Sequence, residues 1–326
     1  MKTFIRTLCA LLVSGLLFQC VQAQQRPLLD LSGFSDPGGA ITILRGGDIV
    51  DPYFAIQALL LAKEYGLDAD ADTRRWIAFL ALRQRPDGAF DRFCRSATGW
   101  SACKPADADD ALLAMWMKLL RSSGALAPRG LAKPSLARSD AALGRLYDQS
   151  RGVYLVSPSY PHSLFMDNLE IWWFWSSQRT AADQVRARKL LSAIHKVFWH
   201  AGKLRFLVST QAEQADMPHA FYPDAVAQIL PLLFGYPALP GTTRAYYRSW
   251  MKAHRGEWLT RAPDDFSWGV LALIALRQGD LESAACWLRE TAHLRYSTHW
   301  TVSDEITRQV LDARGIGPAV AELSCR

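Results

Sequence analysis

No block of like charge, no C-x-x-C pair and no H-E-x-x-H helix occurs in this sequence, and beyond its first residues no stretch reads as a membrane span. Each absence removes a class of protein. The chain has 37 Lys and Arg against 31 Asp and Glu, a formal net charge of +6. The basic residues are scattered, so the footprint of a nucleic-acid binder is missing. Stable membrane insertion is not expected. The cysteines lack zinc-site spacing, and no G-x-S-x-G elbow, P-loop or dinucleotide fingerprint is present. Neither a metal nor a cofactor is therefore expected. His162, His219 and His299 stand singly in loops.

What is present begins with a leader. Lys2 and Arg6 precede an apolar run from Leu8 to Phe18, and Val21-Gln22-Ala23 resembles a signal-peptidase site. Residues 1–23 are read as a signal peptide, with Gln24 as the mature start and a periplasmic or secreted product. A lipoprotein cysteine at Cys20 is the alternative, although Gln19 occupies a position that favours a small residue. With Cys9 and Cys20 in the leader, Cys94, Cys103, Cys286 and Cys325 remain for an oxidising compartment. Three pairings are open to four cysteines. Closeness in sequence favours Cys94–Cys103, which leaves Cys286–Cys325.

Residues 24–326 read as one all-α domain, since no low-complexity linker interrupts them. Two kinds of helical segment alternate. Tyr53 to Ala62, Ala111 to Leu120, Leu169 to Trp175, Ala225 to Phe234 and Val270 to Leu276 are apolar nearly all round and must be buried on every side. Others are amphipathic. Ala187, Leu190, Leu191, Ile194, Val197 and Phe198 follow helical spacing with Arg186, Arg188 and Lys189 between them, and Tyr247 to Trp258 repeats the pattern. Each buried segment is led by an aspartate: Asp51, Asp109, Asp167, Asp224, Asp265 and Asp304. A helical pair repeated about six times argues for a closed or solenoidal array, read here as an all-α, (α/α)6-like toroid of inner and outer helices. All inner helices would then start at one mouth. Gly152 to Val156 and Lys203 to Val208 alternate like short hairpin strands in the loops leading there.

Aspartate is a preferred helix cap, and Asp167-Asn168-Leu169-Glu170 has capping-box spacing. Capping does not require the surplus at Asp107, Asp109 and Asp110, or Asp264 beside Asp265. Carboxylates crowded at one mouth raise one another's pKa. One protonated and one ionised carboxyl is the pair that glycosidic cleavage uses. Asp109 or Asp110 is expected to be one catalytic carboxylate and Asp51, Asp167 or Asp224 its partner. Aromatic residues beside acids suit the C–H faces of sugar rings, so Tyr222, Trp268, Trp100 and Tyr160, with Asp265, are the expected substrate contacts. Trp172, Trp173 and Trp175 read as core.

These features resemble the six-hairpin glycosidase superfamily, particularly Phe221-Tyr222-Pro223-Asp224-Ala225-Val226 leading into an inner helix. Asp107-Ala108-Asp109-Asp110-Ala111-Leu112-Leu113-Ala114 is similar to the aspartate-rich start of an inner helix in cellulase-type family eight enzymes, where an aspartate holds the sugar at the cleavage point. The Ser-Glu-Gly-Gln segment carrying that family's general acid is absent, and Gly47-Asp48-Ile49-Val50-Asp51 stands in its approximate place. The resemblance implies a glycoside hydrolase or polysaccharide lyase acting on a polysaccharide or oligosaccharide; with the leader it would be exported, and a monomer is expected. A second resemblance leads elsewhere. Gln84-Arg85-Pro86-Asp87-Gly88-Ala89-Phe90 is similar to the QxxDGxF/W repeat of terpenoid cyclases and prenyltransferase β-subunits, and Asp107 to Asp110 fits DxDD. It implies protonation of an alkene or epoxide by Asp109, although the repeat occurs once and the length suits a single barrel. A non-catalytic glycan-binding or polysaccharide-assembly protein on the same toroid is the third reading.

Overall fold

A computed structural model describes residues 26–128, 130–216, 219–260, 266–319 and 325; the leader with its cleavage site, Asp264 and Asp265 lie outside the described residues. Six inner helices follow one another around a ring: α1 (Pro52–Glu64), α3 (Asp109–Ser123), α5 (Phe165–Ser176), α7 (Val226–Phe234), α9 (Gly269–Arg277) and α11 (Val302–Ala313). Each packs on the next, and α11 returns to α1 to close the circle. Outside them lie α2 (Asp70–Ala81), α4 (Ala132–Arg145), α6 (Ala181–Phe198), α8 (Thr243–Thr260) and α10 (Leu281–Thr291). The two hydropathy classes correspond to the two layers. Leu59, Leu113, Phe174, Ile229 and Ile274 of the inner layer are wholly buried, whereas α6 buries Ala187, Leu190, Ile194 and Phe198 and leaves its basic side in water.

Outside α11, an irregular N-terminal segment of turns and isolated bridges lies where a sixth outer helix would be expected. Leu29, Leu31, Phe34 and Ile41 are buried there. Gln309 of α11 both receives the Asp30 amide (2.9 Å) and donates to its carbonyl (2.6 Å).

Short strands decorate the mouth. β1 (Ile49–Val50), β2 (Asp91–Ser96) and β3 (Gly99–Pro105) form one antiparallel sheet. The predicted hairpins appear as β4 (Tyr147–Asp148) with β5 (Val153–Tyr154), and β6 (Trp199–His200) with β7 (Arg205–Phe206). Both predicted disulfides are present. Cys94–Cys103 ties β2 to β3, and Cys286–Cys325 anchors the C-terminal region to α10.

The QxxDGxF segment is a fastening between hairpins. Gln84 donates to the Gly88 carbonyl and to Ser139 of α4, both at 2.8 Å, and accepts from Arg138. Gly88 has φ +93°, and a Cβ there would meet the Arg138 carbonyl at 2.5 Å. Phe90 packs edge-on against Trp116.

Gly269, which opens α9, is equally constrained by space. A Cβ would lie 2.8 Å from Asp304 Oδ1 and 2.9 Å from the Trp287 ring. Gly269→Ala should therefore cost about 1–3 kcal/mol through overpacking. Urea denaturation measures this, and an unchanged midpoint would show that the α9–α11 contact gives way freely.

Candidate active site

At the N-terminal ends of the inner helices lies a cavity of about 340 Å³, a size suited to a small organic group. Its position follows from the topology, because every inner helix begins at this end. The aspartates that lead those helices nevertheless have different surroundings.

Asp51 is the N-cap of α1. Its Oδ1 accepts the Tyr53 amide at 3.0 Å, and its Oδ2 accepts from Arg92 Nε at 2.6 Å. The β1–β2 pairing brings them together, since Val50 lies opposite Phe93. Arg92 also pairs with Asp107, and all three residues line the cavity. Burial raises the Asp51 carboxyl above the usual carboxylate range, while Arg92 pulls it back down. Asp304 is a satisfied cap. It forms a capping box with Thr301 and accepts the Gly269 amide at 2.7 Å.

Asp167 is not a cap. The start of α5 is held by backbone, with the Phe165 amide donating to the Val208 carbonyl at 3.0 Å, and its N-cap residue Leu164 has no capping side chain. The capping box expected from Asp167 to Glu170 is therefore not formed. The Val156 carbonyl likewise takes the amides of Asp109 and Asp110 at 2.9 and 3.3 Å. Strand-bearing loops thus perform the capping and leave these carboxyls for other contacts.

Asp110 is wholly buried, and neither of its oxygens has a donor; Asp167 Oδ2 is also sealed without one. The two carboxyls are close enough to perturb one another's ionisation. Burial, then the charge of Asp167, raises Asp110 far above the carboxylate range. Burial pushes Asp167 up to about 6. Asp167 is half-buried overall and lines the cavity, so it is the member of the pair within reach of a bound molecule.

One turn further along α5, buried Glu170 accepts from Tyr53 Oη at 2.7 Å, and Gln57 donates to that hydroxyl at 3.1 Å. Ser303 donates to Gln57 at 3.2 Å. Burial and the neighbouring Asp167 charge raise Glu170 to about 8. A hydrogen-bonded chain thus runs from Glu170 to Ser303 beside the cavity. Tyr53, Gln57, Arg92, Glu170 and Ser303 were not among the expected site residues. The signal was available for Glu170, which stands three residues after Asp167 on the same face of α5.

Tyr222 and Trp268 line the cavity, and their rings stack at 5.0 Å. Trp268 has φ +51°, a left-handed conformation that L-residues hold only when surrounding structure imposes it. The remaining expected residues lie elsewhere. Asp109 is half-buried but does not line the cavity, so the DxDD aspartate assigned to protonation is not at its wall. Asp224 accepts the Ala220 amide at 3.0 Å and pairs with Arg205 at 3.9 Å, beside a separate small recess. Trp100 donates to Asp36 at 2.6 Å beneath Arg95, and Tyr160 is an exposed loop residue near His162. Among the described residues, no group of three or more His, Cys, Asp or Glu is placed to hold a metal ion, and no helix is long and apolar enough to cross a membrane.

No protein-family model and no curated protein matches this sequence. Solved structures do resemble it. A GH63 mannosylglycerate hydrolase from Thermus thermophilus superposes with TM-score 0.54 and 12% identity over 87% of this chain and 97% of that one. A D-mannose isomerase gives TM-score 0.52 and 12% identity, covering 84% of this chain and 81% of the isomerase. A rhamnosidase from Klebsiella oxytoca gives TM-score 0.49 and 14% identity over 76% of this chain, which spans 50% of the rhamnosidase's length. What the hydrolase and the isomerase share with this chain is the fold, an α/α toroid.

Proposed function

We propose that this protein is an exported glycoside hydrolase acting on an extracellular or cell-surface glycan, with Asp167 as general acid and Asp51 as the second carboxylate. One observation carries the reading. One cavity is lined by a carboxyl that burial keeps protonatable near neutrality and by another that burial also raises but that is ion-paired with Arg92, and this pairing is what favours the first as acid and the second as base. Asp110, buried beside Asp167 and perturbing its ionisation, acts through it. Tyr222 and Trp268 offer a flat surface on which a ring of the bound molecule stacks. Two structures that share the toroid, the mannosylglycerate hydrolase and the mannose isomerase, are named for sugars, which supports a sugar ligand. Because one fold serves many activities, the assignment rests on the site. The two disulfides suit an oxidising compartment, to which the leader would direct the chain.

The test is release of reducing ends from a panel of bacterial exopolysaccharides, oligosaccharides and simple glycosides, with squalene run alongside. Reducing ends from at least one sugar, with squalene unchanged, are expected. Binding of a sugar without turnover on any member would reassign the protein to glycan binding. Cyclised squalene with no activity on any sugar would transfer it to the terpenoid-cyclase reading.

A further inference from the structure

The cavity wall divides by hairpin. From α11, α1 and the β2–α3 connection come the charged and polar groups Asp51, Gln57, Arg92, Asp107, Thr301 and Ser303, with Phe54, Ala106 and Ala108 among them. From the α5, α7 and α9 side come Leu164, Met166, Val226, Leu230, Phe266 and Val270. Each set is contiguous around the ring, because α11 packs on α1 and α1 on α3, while α5 packs on α7 and α7 on α9. Asp167 lies in the first turn of α5, where the apolar arc begins.

We infer that the substrate is amphipathic, a sugar joined through the scissile bond to an apolar aglycone. This rests on the glycosidase reading for its sugar half. An unmodified oligosaccharide carries hydroxyls on both sides of the bond. Those pressed against Leu164, Met166, Val226 and Leu230 would leave water without gaining a partner, each weakening binding about 5- to 150-fold. An alkyl or aryl group meets no such penalty, and each methylene leaving water adds about fourfold in affinity. The carboxyl proposed as general acid stands at the junction of the two arcs, where the oxygen linking sugar to aglycone would lie. Beyond the aliphatic wall, Phe266, Trp268 and Tyr222 continue the apolar arc towards solvent, and Phe266 and Tyr222 are exposed.

The test compares methyl, n-octyl and 2-naphthyl glycosides of glucose and mannose, in both anomers and below micellar concentration. Binding is followed by calorimetry and hydrolysis by sugar release. The octyl or naphthyl glycoside should bind about 10²-fold tighter than the methyl glycoside of the same sugar. Tight octyl binding alone points to a lipid-like aglycone and tight naphthyl binding alone to an aromatic one, and either outcome supports the inference. In Leu230→Asn the ratio should fall about tenfold; Met166→Gln at another point of the arc gives an independent reading should the first variant fold poorly. Affinities within threefold across the series, or a preference unchanged in both variants, would overturn the inference. Tight binding of apolar glycosides without hydrolysis would keep it and remove the hydrolase reading. Hydrolysis of plain oligosaccharides with no gain from an apolar aglycone would do the reverse.

Discussion

Asp167→Asn should lower turnover by about 10² to 10⁴, the contribution of a positioned proton-transfer group, and leave the melting temperature unchanged or raised. Both halves of the expectation come from the same geometry. Asp167 caps nothing, because the Val208 carbonyl holds the start of α5, so the amide loses no capping bond. An asparagine there can donate to Asp110, whose two oxygens have no donor, and it removes one of two carboxyls competing for a proton. In the unaltered enzyme, kcat/KM should fall as the pH rises past about 6, because a general acid works only while protonated. Asp140→Asn is the control. That residue is in outer helix α4, where its ion pair with Arg186 at 3.6 Å is half exposed, and it should change neither quantity appreciably. Full activity in Asp167→Asn would end the acid assignment, and a fold that fails to form would show that Asp167 is structural.

A second large effect is expected on stability. Glu170 is buried, its Oε2 has no partner, and its carboxyl is raised to about 8. The folded state therefore binds this proton more tightly than the unfolded chain does. The resulting stabilisation is complete below about pH 4.5 and is lost as the pH rises through about 8. Asp167, also raised, acts in the same direction at lower pH. The protein should unfold at lower urea concentration at pH 9 than at pH 5, by on the order of a few kcal/mol. Glu170→Gln keeps an acceptor for Tyr53 and cannot ionise, so it should remove most of that loss. Equal losses in the variant and the parent would place the titrating group elsewhere.

Periodicity made the two helical layers readable, because a helix apolar on all sides has only one place to go. It also indicated the end at which the cavity lies. It did not indicate which aspartates face inward. Successive helical residues point about 100° apart, and the leading aspartates occupy different places in the first turn: Asp51 is the N-cap of α1, Asp109 its helix's first residue, Asp167 the third of α5. Asp109 and Asp110 therefore diverge, one half exposed outside the cavity and the other buried beside Asp167. Capping could not be separated from chemistry either. The groups that hold the α3 and α5 termini are the carbonyls of Val156 and Val208, and backbone atoms leave no mark in a sequence. Arg92 was missed for a related reason, since its partnership with Asp51 depends on strand register across 41 positions.

The irregular N-terminal segment beside α11 bears on how the molecule is made. Asp30 and Gln309 are separated by 279 positions, yet they share two hydrogen bonds. The last inner helix is also what joins α9 to α1. During synthesis, successive hairpins can stack as they emerge, but the circle stays open until α11 is available. Until then the early segment has contacts with Asp68, Ile49 and α2 but not with α11, and one side of α1 faces solvent. Closure is thus a late step that joins the most distant parts of the chain, with the loop-closure cost that such contacts carry. A chain halted before α11 would hold most of the residues of the site without a closed mouth to place them in.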